Sequence, residues 1–268
     1  MMLFSFLTPR RIGRVTAALT LLSASLSFCA FAEDSLKTLQ QQAEQGDPVA
    51  QYQLALKYRH GKGVEQNNAR AVEWYQKAAE QGNVNAQYNL ALMYRKGAGV
   101  AQNDALAVQW YQKAAEQGDS GAQSNLGFMY QNGLGVEKDE ALAVQWYLKG
   151  AEQGNKDAQY NLGTLYSNSK GALQNSELAM SWYLKAANQG DADASYNIGI
   201  LYYKGKGVVK DYGQAYVWFS RAELRGDKDA LAMKRLCTEK MTASELKKAN
   251  DELAADKSQL ETPPTRSE

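Results

Sequence analysis

The chain has 268 residues, 44% of them hydrophobic, too apolar for a disordered protein and right for a folded one. Its formal charge is +1, from 30 Lys and Arg against 29 Asp and Glu. That balance gives no electrostatic reason to expect nucleic acid or an anionic membrane as partner.

The first segment carries Arg10, Arg11 and Arg14, then an apolar run from Val15 to about Leu26, then Ala30-Phe31-Ala32 ahead of Glu33-Asp34. A basic start, a short apolar stretch and small residues before a polar boundary describe a secretory signal peptide over residues 1–32, cleaved after Ala32. The run is short for a bilayer span, which disfavours an uncleaved anchor. Bulky Phe28 before Cys29 argues against lipid attachment. Cleavage removes three arginines and no acid, leaving a charge of about −2. The expected location is periplasmic or secreted, with no membrane insertion after cleavage. Cys237 is then the one cysteine left, so an internal disulfide is impossible and stability must come from packing. Cys237 itself reads as a small buried apolar residue.

Trp74, Trp110, Trp146, Trp182 and Trp218 are the five tryptophans, each 36 residues after the last. A rare residue at a strict period marks one copied unit, too short to bury a core alone, so the copies must stack. Residues 33–46, with Ser35 to Gln45 helical, read as an N-terminal capping helix. Five units then fill 47–226. Each opens at an Asp or Asn: Asp47, Asn83, Asp119, Asn155, Asp191, with Asp227 after the last. Such side chains accept hydrogen bonds from the free N–H groups of a first helical turn. In the first helix, Ala50, Leu54, Ala55 and Tyr58 share one face. A Gly-x-Gly-Val loop ends it at Gly61/Gly63, Gly97/Gly99, Gly133/Gly135 and Gly205/Gly207. A second cap follows at Asn67, Asn103, Asp139, Asn175 and Asp211. The second helix buries Ala71, Trp74, Tyr75, Ala78 and Ala79, and a Gln-Gly pair closes it. Very short turns force antiparallel neighbours. Residues 227–256 read as C-terminal capping helices: a first helix over Asp227 to about Cys237, and a polar one opened by Thr242-Ala243-Ser244-Glu245 and running to about Asp256. Residues 257–268, with Pro263-Pro264, read as a disordered tail.

These columns resemble the Sel1-like repeat family, a relative of the tetratricopeptide repeats. The resemblance rests on Ala86-Gln87-Tyr88-Asn89-Leu90-Ala91-Leu92-Met93-Tyr94, on Gly97-Ala98-Gly99-Val100, and on the run from Ala107 through Trp110-Tyr111 to Gly118. It covers residues 35 to about 255. It implies an all-α fold, a right-handed α/α superhelical solenoid with a concave groove, and a scaffold or adaptor role through protein–protein contacts. Some secreted relatives carry a disulfide in each repeat, and β-lactam binding or hydrolysis attaches to that branch. This chain lacks those cysteines, so that activity is not carried over.

The residue inventory offers little chemistry. His60 is the one histidine and cannot build a multi-histidine metal site. Asp139-Glu140 is the best acidic pair, but Asp139 belongs to the capping column. The Gly-x-Gly loops follow helices, not strands, which disfavours phosphate binding. The Trp-Tyr pairs lie on the repeating apolar face and read as core. The expectation is therefore a non-enzymatic protein without cofactor or metal, a monomer that binds a protein or peptide. The alternatives are a secreted effector of a host protein and, disfavoured, a cell-wall or β-lactam enzyme.

By the same resemblance, first-helix residues line the concave side. The groove candidates are Tyr52, Tyr88, Tyr160 and Tyr196, with Ser124 in the same column. Near the helix ends stand Arg59 and Arg95, replaced later by Gln131, Ser167 and Tyr203. Asn89, Asn125, Asn161 and Asn197, with Gln53, form a polar ladder able to hydrogen-bond an extended peptide. The tyrosine and asparagine columns recur, so intramolecular roles are the competing reading. Ser167 to Ala172 replaces the Gly-x-Gly-Val loop in the fourth unit and is a second candidate contact.

Overall fold

The structure, a computed structural model, describes residues 35–168 and 174–261, with side chains as far as residue 255. The signal peptide expected at 1–32 and most of the irregular loop at 167–172 lie outside the described residues.

The described chain is helical throughout, as thirteen helices in succession. They are α1 (35–44), α2 (Pro48–His60), α3 (Asn68–Glu80), α4 (Val84–Lys96), α5 (Asp104–Glu116), α6 (Ser120–Asn132) and α7 (Glu140–Glu152). After them come α8 (Lys156–Asn168), α9 (Ser176–Asn188), α10 (Ala192–Lys204), α11 (Tyr212–Leu224), α12 (Ala230–Thr238) and α13 (Ala243–Glu261). Each helix from α2 to α11 is 13 residues long, because the same caps bound each copy. Asp47, Asn67, Asn83, Asp119, Asp139, Asn175, Asp191 and Asp211 all accept a first-turn N–H, as their side chains predict. Helices α2, α4, α6 and α10 end on a glycine in the left-handed region, with φ of 67° at Gly61 and at Gly205. The backbone N–H of the next cap then returns to the helix, as in Asp139 N to Tyr130 O at 2.9 Å.

The chain divides into two compact units, Met1–Trp110 and Tyr111–Glu268. In the first, Leu39 and Ala43 of α1, Leu54 and Ala55 of α2, Tyr75 and Ala78 of α3, and Leu90 of α4 form the core. In the second, Tyr147, Leu162, Tyr183, Ile198 and Phe219 fill the same columns. The small residue between Leu and Tyr on each first helix marks a close approach. A Cβ on Gly163 would lie 2.7 Å from the Tyr183 ring, and one on Gly199 2.7 Å from Phe219. Ala55 fills that column in the first unit.

Trp182 and Trp218 belong to the core, as expected, but the tryptophans are not its most enclosed aromatics. The fully enclosed aromatic is the residue after each one: Tyr75, Tyr111, Tyr147, Tyr183 and Phe219. Trp74 and Trp146 remain partly exposed, and Trp182 and Trp218 keep 8% and 9% of their surface. A cation covers the outer ring face in each of these four: Lys77 Nζ at 4.1 Å from the Trp74 centroid, Lys149 at 4.2 Å from Trp146, Lys185 at 3.8 Å from Trp182, and Arg221 at 4.4 Å from Trp218. The pairing is cation–π. The second-helix spacing Trp-x-x-Lys places the ammonium one turn on, over the ring. The tryptophans thus line the outer margin of the core, Trp74 and Trp146 more exposed than Trp182 and Trp218.

Sequence reading missed a buried polar column. Gln51, Gln87, Gln123 and Gln159 are buried one residue after each core alanine. Each Nε2 donates to the carbonyl eight residues earlier, such as Gln51 to Ala43 O at 3.1 Å and Gln159 to Ala151 O at 3.0 Å. Each Oε1 in turn can accept from the glutamine closing its own repeat, as from Gln81 at 2.8 Å, Gln153 at 2.7 Å and Gln189 at 2.8 Å. One side chain therefore ties the end of the preceding helix to the end of its own pair. The last repeat changes both partners. Ser195 stands in the glutamine column, and Arg225 reaches it with a 2.9 Å bond to Oγ. A short acceptor meets a long donor, and the link survives.

The C-terminal end departs from expectation in two places. Asp227 accepts from Asp229 N at 2.8 Å and Ala230 N at 3.0 Å, but the helix starts only at Ala230. Helix α13 runs to Glu261, beyond the expected stop at Asp256. Its capping box forms as predicted, with Thr242 N to Glu245 Oε2 at 2.7 Å and Glu245 N to Thr242 Oγ1 at 3.3 Å. Lys234 and Arg235 replace the apolar Ile198 and Gly199 of the preceding first helix. A long side chain at the glycine position bars another second helix from seating there. Helix α13 packs on α11 instead, through Gln214 to Glu252 at 3.0 Å and Tyr216 to Asn250 at 3.2 Å.

Candidate functional site

Each first helix of the five repeats buries Ala, then Gln or Ser, then Leu or Ile with the small residue after it. Positions between those columns stay half-buried on the opposite side. Tyr52, Tyr88, Tyr160 and Tyr196 are all half-buried there, with Leu56, Leu92 and Ile200 a turn further along. Ser124 is buried and Phe128 exposed.

In the first unit, the Tyr52 ring lies 6.0 Å from that of Tyr75, so one side of it is packed. Arg59 donates from Nη1 to Asn89 Oδ1 and so links α2 to α4. Asn89 Nδ2 donates to Asn85 O, one turn back, at 2.8 Å. Tyr88 and Arg95 occupy the equivalents of Tyr52 and Arg59 on α4 and are half-buried. His60 is exposed at the end of α2.

In the second unit, Tyr160 lies 6.0 Å from Tyr183, and Tyr196 lies 5.3 Å from Phe219. Burial pushes the Tyr160 hydroxyl up, against hydrogen bonds with Thr164 and Asn197 that pull it down. Asn197 thereby joins α10 to α8. Asn125 Nδ2 donates to Gly121 O at 2.8 Å, and Asn161 is half-buried. The asparagine amides at 89 and 125 thus already satisfy their own helices. The tyrosines have one packed and one partly open side.

The floor beneath this face was not foreseen. It consists of the hydroxyls of the buried second-helix tyrosines. Tyr147 donates to Gln131 Oε1 at 2.8 Å, and Tyr183 to Thr164 Oγ1 at 3.2 Å. Burial pushes Tyr183 up to about 12, partly offset by Thr164. The Tyr75 hydroxyl is buried, and its proton finds no acceptor among the described residues. Burial raises its pKa, and the Arg59 guanidinium beside it works in the opposite direction. Leu56 and Arg59 stand where Thr164 and Ser167 stand in the fourth repeat, and neither offers a side-chain acceptor. The signal was in the sequence: the Trp-Tyr column recurs with a first-helix position 16 residues before it, Gln131 for Tyr147.

Charge is graded along the first helices. Helices α2 and α4 contain no Asp or Glu, but end in Lys57, Arg59 and His60 and in Arg95 and Lys96. Helix α6 is uncharged, and α8 and α10 each hold one acid and one lysine. Asp193 is held above the usual carboxylate range, first by burial and then by Asp191 and Asp227. Asp139 caps α7, accepting from Leu142 N at 2.9 Å. Among the described residues no three His, Cys, Asp or Glu side chains gather where a metal could sit. Cys237 is buried, and its thiol is pushed up to about 12, the reverse of what a nucleophile needs.

Comparison with known proteins agrees with this architecture. The Sel1 repeat model matches residues 48–83, 84–119, 120–155, 156–191 and 192–227. A solved relative is c5321, a protective antigen of uropathogenic Escherichia coli strains. It is 37% identical with a TM-score of 0.72, and the match covers 81% of this chain and 48% of the antigen, so this chain spans about half its length. A Sel1 repeat protein from Oxalobacter formigenes is 34% identical with a TM-score of 0.70, over 79% of this chain and 87% of that one. No curated protein matches. With the family model covering every repeat from residue 48 to residue 227, the chain belongs to the Sel1 repeat family.

Proposed function

We propose that this protein is a non-enzymatic scaffold that holds a protein or peptide along the open face of its first helices. One observation carries this reading. The buried columns repeat nearly unchanged, while the half-buried first-helix positions differ from copy to copy: Tyr52 against Ser124, Leu56 against Thr164, Arg59 against Gln131 and Tyr203. Packing explains invariance, and variation at partly apolar, half-buried positions within each unit suits recognition. The raised Cys237 thiol and the capping role of Asp139, in the best acidic pair, favour a binding role over catalysis.

The N-terminal pattern ending at Ala32 supports export, to the periplasm or beyond the cell. The similarity to a protective antigen favours a partner met outside the cell, over that shared half of the antigen. N-terminal sequencing of the mature protein tests the cleavage site. The groove test is Tyr88→Ala combined with Tyr160→Ala. The double variant should bind a captured partner more weakly while keeping its helical circular dichroism. Unchanged affinity would place the binding surface elsewhere.

A further inference from the structure

We propose that the α2–α4 face takes an acidic segment of the partner, with a carboxylate seated on Arg59. This rests on the groove reading above and specifies its ligand. The first support is charge. The two helices hold no acid, and their groove-side cations Arg59 and Arg95 stand in one column, with His60 and Lys96 beside them. The remaining first helices are uncharged or balanced.

The second support is a missing acceptor. Tyr75 and Arg59 both present N–H or O–H donors to one place. The hydroxyl oxygen faces an Arg59 N–H, but its proton finds no acceptor among the described residues, and a guanidinium has no lone pair to give it. In the third repeat Gln131 supplies that acceptor to Tyr147 at 2.8 Å. Arg59 directs donors to Asn89 and to the Tyr75 hydroxyl oxygen, and of its five N–H groups others remain for a ligand. A carboxylate brings two oxygens and about four lone pairs, the group this donor-rich site lacks. Half-burial of Arg59 reduces the screening of its charge by salt.

Geometry adds a spacing. Packed helix axes lie about 8–10 Å apart, and an extended chain advances about 3.3 Å per residue. Arg59 and Arg95 therefore suit two acids about three residues apart, with the residues between them on Tyr52, Leu56, Tyr88 and Leu92.

The test uses the full chain on a spotted array of random-sequence peptides of one length, with single-stranded DNA spots included. The best-binding peptide is then measured by fluorescence anisotropy beside its Glu→Gln and Asp→Asn form. Bound peptides should be enriched in acids. Arg59→Gln should weaken the best acidic peptide by about tenfold or more, the loss of one charged hydrogen bond. That variant should fold normally, because Gln131 already serves in the same column and would satisfy Tyr75. Arg95→Gln gives an independent second reading.

Peptides bound without acidic preference, or unaffected by both arginine variants but weakened by Tyr88→Ala with Tyr160→Ala, would overturn the acidic ligand and keep the groove. Peptide binding insensitive to all of these variants would overturn both. DNA bound as tightly as acidic peptide, and lost with Arg59→Gln, would overturn the peptide assignment in favour of a nucleic acid.

Discussion

Gln159 is 4% exposed and holds three segments of the second unit together. Its Nε2 donates to Ala151 O at 3.0 Å at the end of α7, and its Oε1 accepts from Gln189 at 2.8 Å at the end of α9. Gln159→Ala deletes both bonds and one methylene. Each bond contributes about 1 kcal/mol net and the methylene about 0.8 kcal/mol, so the loss should be about 2–3 kcal/mol. No larger penalty is expected, because Ala151 O also accepts from Gly154 N at 3.0 Å and Gln189 also donates to Gly154 O at 3.0 Å. Gln159→Glu is the sharper probe. It sets a carboxylate oxygen against the Ala151 carbonyl, acceptor against acceptor, in a buried place. Its folded-state pKa must rise above the unfolded value of about 4.3. For a raised acid the deficit grows as pH rises above the unfolded pKa and fades below it, where the protonated acid can donate to Ala151. Urea unfolding of parent and variants at neutral and mildly acidic pH measures this. A cost below about 0.5 kcal/mol for Gln159→Ala, the size of a surface change, would refute the bridging role. A Gln159→Glu deficit equal at both pH values would do the same.

Three further outcomes are expected. Tyr147→Ala should cost about 3–5 kcal/mol, because the side chain is fully enclosed, and Trp146→Ala should cost less because its loss opens a notch to solvent; the reverse order in urea unfolding would contradict the enclosed-tyrosine column. Ser195→Gln and Arg225→Gln should each destabilise alone, but the double variant should regain stability by rebuilding the glutamine pair, with a coupling of about 0.5–3 kcal/mol in a double-mutant cycle. The Tyr183 hydroxyl, 10.0 when unperturbed and about 12 here, should make stability fall as pH rises from about 10 toward 12, since the unfolded chain ionises first; Tyr183→Phe should flatten that fall in alkaline unfolding curves.

The fold was legible because it is written in local terms. A cap needs one side-chain oxygen at the right place, and Asp47, Asn67 and their copies supply it regardless of what packs above. A left-handed C-cap needs a glycine, and Gly61 and Gly205 are there. Thr242 and Glu245 announce α13 within four residues. Helix α12 starts at Ala230 and not directly after Asp227, because Asp227 spends its oxygen on Asp229 N and Ala230 N in a bend ahead of the helix.

The candidate site was legible only as a set of columns. Tyr52, Arg59 and Asn89 could be placed on one face, but not the bond from Arg59 to Asn89, which joins residues 30 apart. Nor could the sequence say that asparagine 89 and 125 donate to their own helices, or that a tyrosine hydroxyl without an acceptor lies under Arg59.

The tryptophan period by itself determined the repeat, its length and its helical pairs, because periodicity and capping act within a few turns of chain. Tertiary structure decided which aromatic is enclosed. Trp and the aromatic after it are adjacent on one apolar stripe, and the close approach of the first helix at its small residue encloses the second aromatic more fully and leaves the tryptophan nearer the edge, as Trp146 lies under Lys149 and Trp218 under Arg221.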